Sequence, residues 1–180
     1  MKMKIKSFIN KLFYKLWKMT QEKELSTLPM GVTLINKELI KIGERVSFGG
    51  NVIIFANEQV EIGNDTMIAY NTSITTSTHK HENHPMWLER VDAPVKIGSH
   101  VWIGLNTVIL PGVIIEDYAV IGAGSVIVDN VPKGAIVAGN PARIIKYRDE
   151  KIYIQPFDES LYPGKPIKEG FKDRFCKTKK

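Results

Sequence analysis

From Ile97 an aliphatic residue returns at every sixth position, at Ile103, Ile109, Ile115, Ile121 and Ile127. Four residues after each stands a smaller side chain: Val101, Thr107, Val113, Ala119, Ser125 and Val131. An earlier run, Ile42, Phe48 and Ile54, slips by two and resumes at Ile62, Ile68 and Ile74. A period of six matches neither the turn of a helix nor the unbroken two-residue alternation of a long strand. It fits short strands separated by tight turns, one flat face per hexad, with three faces closing a triangular coil. Each aliphatic residue then stacks on one about eighteen positions away, rung upon rung. Ile103 is expected against Ile121 and Ile109 against Ile127. The small residues fill places where a larger side chain would overfill the coil. Glycines, with Asn64 and Asp65, suit corners where the backbone is otherwise strained.

At 180 residues the chain suits a single domain large enough to bury a core without staples. Its one cysteine, Cys176, cannot form an internal disulfide, which favours a reducing compartment. No apolar run approaches the ~20 residues that span a bilayer. Lysines interrupt the N-terminal apolar residues too often for a signal peptide. A cytoplasmic location is the expectation. The net charge of +6 is concentrated at the ends. Residues 1–18 contribute +6 and residues 171–180 contribute +4, leaving the body at −4. A nucleic-acid binder needs a basic face on its folded body, so that class is set aside.

The period breaks once, in "TTSTHKHENHPMWLERVDAP" from Thr75 to Pro94, which holds His79, His81 and His84, three of the four histidines. Ile74 and Ile97 are 23 residues apart, not a multiple of six, so the coil extrudes a loop over about 80–94. A long insertion costs a rigid rod little closure entropy, and chemistry tends to sit on such loops.

The stretch "VWIGLNTVILPGVIIEDYAVIGAGSVIVDNVPKGAIVAGNPARII", Val101 to Ile145, resembles the hexapeptide-repeat acyltransferases over roughly residues 40–148. It is nearest to the maltose, galactoside and nodulation-factor O-acetyltransferases and to relatives that acetylate capsule or lipopolysaccharide sugars. The resemblance implies an all-β, left-handed parallel β-helix, an exception to the usual right-handed crossover. It implies a homotrimer with active sites between subunits and acetyl-CoA as co-substrate, with no metal. The catalytic histidine of that family ends the rung before the loop, which here implies His79. An imidazole suits the chemistry: it can take the proton of a sugar hydroxyl as attack begins and return it to the departing thiolate.

The same resemblance places the cofactor's amides near Gly104, Leu105 and Ala123, and its phosphates near Arg143 and Lys146 after the "GNPA" turn. Trp102, in "VWIG", is either a wall for pantetheine and sugar or a packing residue against a neighbouring subunit. Val128 and Asp129 stand where the galactoside branch often has Thr-Lys, which removes one phosphate contact. That branch's substrate-positioning asparagine aligns with Gly49, leaving Asn51 as the nearby candidate. His81, His84 and Trp87 are further acceptor candidates, with solvated loop histidines and a loop packed on the trimer as the plainer readings. The spacing His79-x-His81-x-x-His84 also invites a metal. The γ-class carbonic anhydrases share the coil, but their ligands are spread over rungs and subunits, and a third rung histidine is missing here.

Two ends complete the plan. Residues 4–19 place Ile5, Phe8, Ile9, Leu12, Phe13, Leu16 and Trp17 at helical spacing with lysines opposite. Such a basic amphipathic helix docks its stripe on protein or makes peripheral contact with the inner face of the cell membrane. The expected organisation is helix and linker over 1–30, coil over 31–148, and an irregular tail over 149–180. A short helix is expected after Pro141. The reading reached is an acetyl-CoA-dependent O-acetyltransferase acting on a sugar, in a bacterial surface polysaccharide. The rivals are an amino-sugar N-acetyltransferase, an anhydrase-like metal protein and a non-catalytic oligomerisation module.

Overall fold

The structure, a computed structural model, describes residues 31–82 and 84–153. The helix expected over residues 4–19, Cys176 and the tail beyond residue 153 lie outside the described residues.

The chain winds through five coils of short strands. The first holds β1 (Thr33–Ile35), β2 (Ile40–Ile42) and β3 (Ser47–Phe48), and the second β4 (Ile53–Phe55), β5 (Val60–Ile62) and β6 (Met67–Ile68). The third begins with β7 (Ser73–Thr75), is interrupted by β8 (Ser77–His79) and β9 (Arg90–Asp92), and resumes with β10 (Val95–Ile97) and β11 (Trp102–Ile103). The fourth holds β12 (Val108–Ile109), β13 (Ile114–Ile115) and β14 (Val120–Ile121). The fifth holds β15 (Val126–Ile127) and β16 (Ala135–Gly139), followed by β17 (Ala142–Tyr147). Strands at equal positions in successive coils pair in parallel and build three faces. Face A is β1-β4-β7-β12-β15, face B is β2-β5-β10-β13, and face C runs from β3 through β6, β11, β14 and β16 to β17.

The hexad dictates this stack directly. Ile103 pairs with Ile121 and Ile109 with Ile127, as the period requires. Ile54 pairs with Ile74 and Ile42 with Ile62, because the two-residue slip widens one corner of the early coils. All of these isoleucines are buried except Ile42, which is half-buried in the first coil, and Val101, Thr107, Val113, Ala119, Ser125 and Val131 are buried too. The hydroxyls among them are satisfied, Thr107 Oγ1 donating to the Gly104 carbonyl at 2.7 Å and Ser125 Oγ to the Gly122 carbonyl at 2.6 Å. A buried hydroxyl without such a partner would be costly.

The corners use left-handed backbone. At the corner between faces B and C the positive-φ residues other than glycine are Arg45, Asp65, His100 and Tyr118. Between faces C and A they are Asn51, Asn71 and Asn106. Asp65 behaves as its residue type suggests. Asn64 supports its corner differently, its Oδ1 accepting the Glu44 N–H at 2.8 Å.

Three details differ from the sequence reading. The extruded segment begins at Ser77 rather than Lys80, because β8 and β9 pair antiparallel and the Ala93 N–H donates to the Thr76 carbonyl at 2.9 Å. Residues 142–147, directly after Pro141, form the strand β17, antiparallel to β16, in place of the expected short helix. The exposed edge of the last coil offers unpaired backbone groups, and the β-branched pair Ile144–Ile145 suits a strand that satisfies them. Finally, the segment past Arg148 opens with a 3-10 turn at Glu150–Tyr153, whose Tyr153 ring lies over Tyr118 at 4.5 Å.

Candidate active site

His79 sits on β8, the first strand of the extruded hairpin, directly opposite Arg90 on β9. It is exposed. It therefore belongs to the loop itself, not to the rung before it. Polar pairs hold the hairpin: Lys80 Nζ lies 2.7 Å from Glu89 Oε1, and Arg90 Nε lies 2.8 Å from Asp92 Oδ2. Glu89 raises the Lys80 ammonium above its ordinary range. Beyond them His81 and His84 are exposed, with His81 Nε2 3.4 Å from Glu82 Oε1. Trp87 lies on a 3-10 turn at Met86–Leu88 and is 72% exposed. Three successive large apolar side chains in water form an unusual loop tip. Among the described residues no three His, Cys, Asp or Glu side chains cluster as metal ligands.

Trp102 points out of face C beside Met67, its partner on the rung before. The corner that follows is built by glycine. A Cβ on Gly104 would lie 2.5 Å from the Ala123 nitrogen, closer than a side chain tolerates. The bare backbone lets successive rungs bond closely, Gly104 N–H to Ile121 carbonyl and Gly124 N–H to Leu105 carbonyl, each at 2.8 Å. Leu105 and Ala123 are exposed at this corner, with backbone available to a ligand's amides. Asn51 stands in the same column of corners. Its Nδ2 donates to Asn71 Oδ1 at 3.2 Å, and Asn71 Nδ2 donates to Asn106 Oδ1 at 3.0 Å. That amide ladder by itself explains an asparagine at 51.

Arg143 and Lys146 lie exposed on β17 at the far end of the coil. Arg143 Nη1 lies 3.3 Å from Asp129 Oδ2 and donates to the Ala142 carbonyl at 2.8 Å. The position that breaks the galactoside pattern thus puts a carboxylate against the guanidinium expected to meet phosphate.

Chain order fixes how these pieces are distributed. The hairpin leaves the corner between faces A and B, whereas Gly104, Leu105 and Ala123 occupy the corner between C and A. His79 and the cofactor candidates therefore flank opposite edges of face A, and Trp102 lies around the next corner. Outward residues differ by face. Face B carries Lys41, Glu61 and Lys96, with Lys41 Nζ 3.5 Å from Glu61 Oε1. Faces A and C expose Ile53, Phe55, Met67 and Trp102. Sequence reasoning overlooked Ser77, Arg90 and Asp92. The signal was the alternation of "STH" against "RVD", which puts polar residues together once the two segments pair.

The family described as bacterial transferase hexapeptide (six repeats) matches residues 94–129, and the hexapeptide repeat of succinyl-transferase matches residues 39–76. A putative acetyltransferase of Bacillus subtilis, YvoF, is 42% identical over 62% of this chain and 62% of its own. The putative lipopolysaccharide biosynthesis O-acetyl transferase WbbJ of Escherichia coli is 36% identical over 60% of each chain. The chain thus spans less than two thirds of the length of these curated relatives. Among solved structures, the hexapeptide-repeat acetyltransferase VCA0836 of Vibrio cholerae, complexed with acetyl coenzyme A, superimposes with a TM-score of 0.60 at 28% identity, covering 67% of this chain and 73% of that one. The coil is the left-handed parallel β-helix.

Proposed function

We propose that this chain, which belongs to the hexapeptide-repeat acyltransferase family, transfers an acetyl group from acetyl-CoA to a sugar hydroxyl, with His79 as the general base. The observation that carries this reading is the single interruption of the coil, which holds an exposed imidazole on a two-stranded hairpin. Similarity to a relative named for lipopolysaccharide biosynthesis supports a surface polysaccharide as the acceptor, and similarity to an acetyl-CoA complex supports the donor.

The thioester needs little activation; the hydroxyl does. His79 takes the hydroxyl proton as the oxygen bonds to the thioester carbonyl carbon. When the tetrahedral intermediate collapses, the carbon–sulfur bond breaks and the proton passes to the thiolate. Such assistance is typically worth ~100- to 10,000-fold in rate. Acetyl-CoA, when bound, supplies the activated acyl group. Gly104, Leu105 and Ala123 would hold its amide-bearing arm through backbone, and Arg143 and Lys146 its phosphates. Trp102 would wall the thioester, and Trp87, His81, His84 and Asn51 would contact the sugar.

The site is completed by a second copy. His79 and the cofactor residues stand at opposite edges of face A, and most of the exposed apolar outward residues lie on faces A and C, with Ile114 on face B. A trimer in which face A of one copy meets face C of the next brings the hairpin toward the neighbour's Trp102. The basic segment over residues 4–19 docks on protein or holds such a trimer near an anionic membrane where lipid-linked glycans are assembled.

Incubating the purified protein with acetyl-CoA and a panel of bacterial glycans tests the reading. Acceptor-dependent release of free thiol, with base-labile acetyl groups on the product, is expected. Base-stable acetyl groups would favour transfer to an amino sugar, and absence of thiol release across the panel counts against the enzyme reading.

A further inference from the structure

The hairpin brings more than an imidazole to the site. In an antiparallel pair, directly opposite residues share a face, and so do alternate residues along each strand. Ser77 pairs with Asp92 and His79 with Arg90. These four side chains therefore project from one face of the hairpin, and Thr78 and Val91 from the other. On that face Arg90 Nε donates to Asp92 Oδ2 at 2.8 Å. The second carboxylate oxygen, Oδ1, is buried and has no hydrogen-bond partner among the described residues. A buried carboxylate oxygen without a donor costs stability, and this one lies diagonally across the strand pair from His79.

The surroundings keep Asp92 ionised. The hydroxyl of Ser77 across the pair favours the carboxylate most, working against burial; Arg90 and then His79 add to it, so the carboxyl is held below its ordinary range. Ser77 acts there as a neighbouring dipole, since Oδ1 makes no hydrogen bond of good geometry.

We propose that Asp92 is a positioning residue for His79, its carboxylate stabilising the imidazolium that forms when His79 accepts the hydroxyl proton. Arg90, opposite His79, moderates that attraction. The inference rests on the reading of His79 as general base. During transfer the ring passes from neutral to cationic and back to neutral, and the carboxylate favours only the middle state. The effect is therefore on the barrier to proton transfer, with little effect on the binding of acetyl-CoA.

The test is a titration of the His79 ring by NMR, together with the pH profile of kcat/KM, in the full-length protein and in Asp92→Asn, Asp92→Glu and Arg90→Gln. Asp92→Asn is expected to move the ring titration to lower pH than in the native chain. It should reduce kcat by roughly 10-fold while KM for acetyl-CoA stays within about 2-fold. Asp92→Glu should recover most of the loss, and Arg90→Gln should move the titration the opposite way. An unchanged titration in Asp92→Asn, or shifts of the same sign in the Asp92 and Arg90 variants, overturns the proposal. The ring titration is independent of turnover, so it separates this inference from the base assignment, which fails if His79→Ala retains normal turnover.

Discussion

Arg143 is already paired by its own chain. Its partner Asp129 lies 3.3 Å away, and the two side chains are 66% and 75% exposed. An ion pair so open to water is worth only about 0–1 kcal/mol, so a phosphate can displace the carboxylate without much cost. It still competes. Asp129→Asn is therefore expected to lower KM for acetyl-CoA by about 2- to 5-fold, and Arg143→Ala to raise it by a similar factor, with kcat at saturation little changed. Steady-state kinetics with varied acetyl-CoA measures both. Equal KM values in all three proteins would remove Arg143 from the phosphate site. Gly104 illustrates a different kind of constraint at the same scale: its column of backbone leaves no room for a Cβ beside Ala123, which is why position 104 carries no side chain.

At the scale of strands and corners, the inward isoleucines of the unbroken run from Ile97 to Ile127 were legible, whereas inward positions such as Val52, Val60 and Val95 were not singled out. One isoleucine per hexad points into the coil, and the register of Ile103 with Ile121 follows from counting. Other elements could not be read in that way. The hairpin starts early because "TTST" continues a strand-forming run, so nothing local separates rung from loop. The segment "ARIIKY" mixes helix formers with a β-branched pair, and the unpaired edge of β16, a tertiary fact, decides for strand. Left-handed corners at His100 and Tyr118 also escape residue preference. Stacking compensates there, with the two rings 4.8 Å apart and 9° from parallel.

The same column of corners makes a pH prediction. Arg45 grips Asp65 with Nε to Oδ1 at 2.6 Å and Nη2 to Oδ2 at 2.7 Å. Those hydrogen bonds, with the nearby charges of Arg45 and His100, hold the Asp65 carboxyl below its ordinary range against the cost of burial. A carboxyl whose folded pKa is depressed contributes stability above its unfolded value, and that contribution is lost as pH falls through the folded value. The unfolded value is about 3.9, so the loss belongs to the window below roughly pH 4. Melting temperature is expected to fall more steeply there in the native chain than in Asp65→Asn, which should start lower at neutral pH. Parallel curves would show that the pair contributes nothing.

At the scale of the whole described coil, rungs that contact only their neighbours offer flat faces and little enclosed volume. With the candidate groups on different corners of the coil, the proposed site takes its cleft from a second copy. Composition hints at this without showing it, since outward isoleucine, phenylalanine, methionine and tryptophan on faces A and C are visible only once the faces are known. Subunit complementation tests the shared cleft most directly. Singly substituted His79→Ala is expected to lose about 100-fold or more of turnover, and Trp102→Ala most of its turnover. Co-expressed with different tags and purified as mixed oligomers, they should regain a substantial fraction of native activity, because some clefts then join the intact His79 of one chain to the intact Trp102 of another. Mixed oligomers as inactive as their parents would contradict a site built between copies.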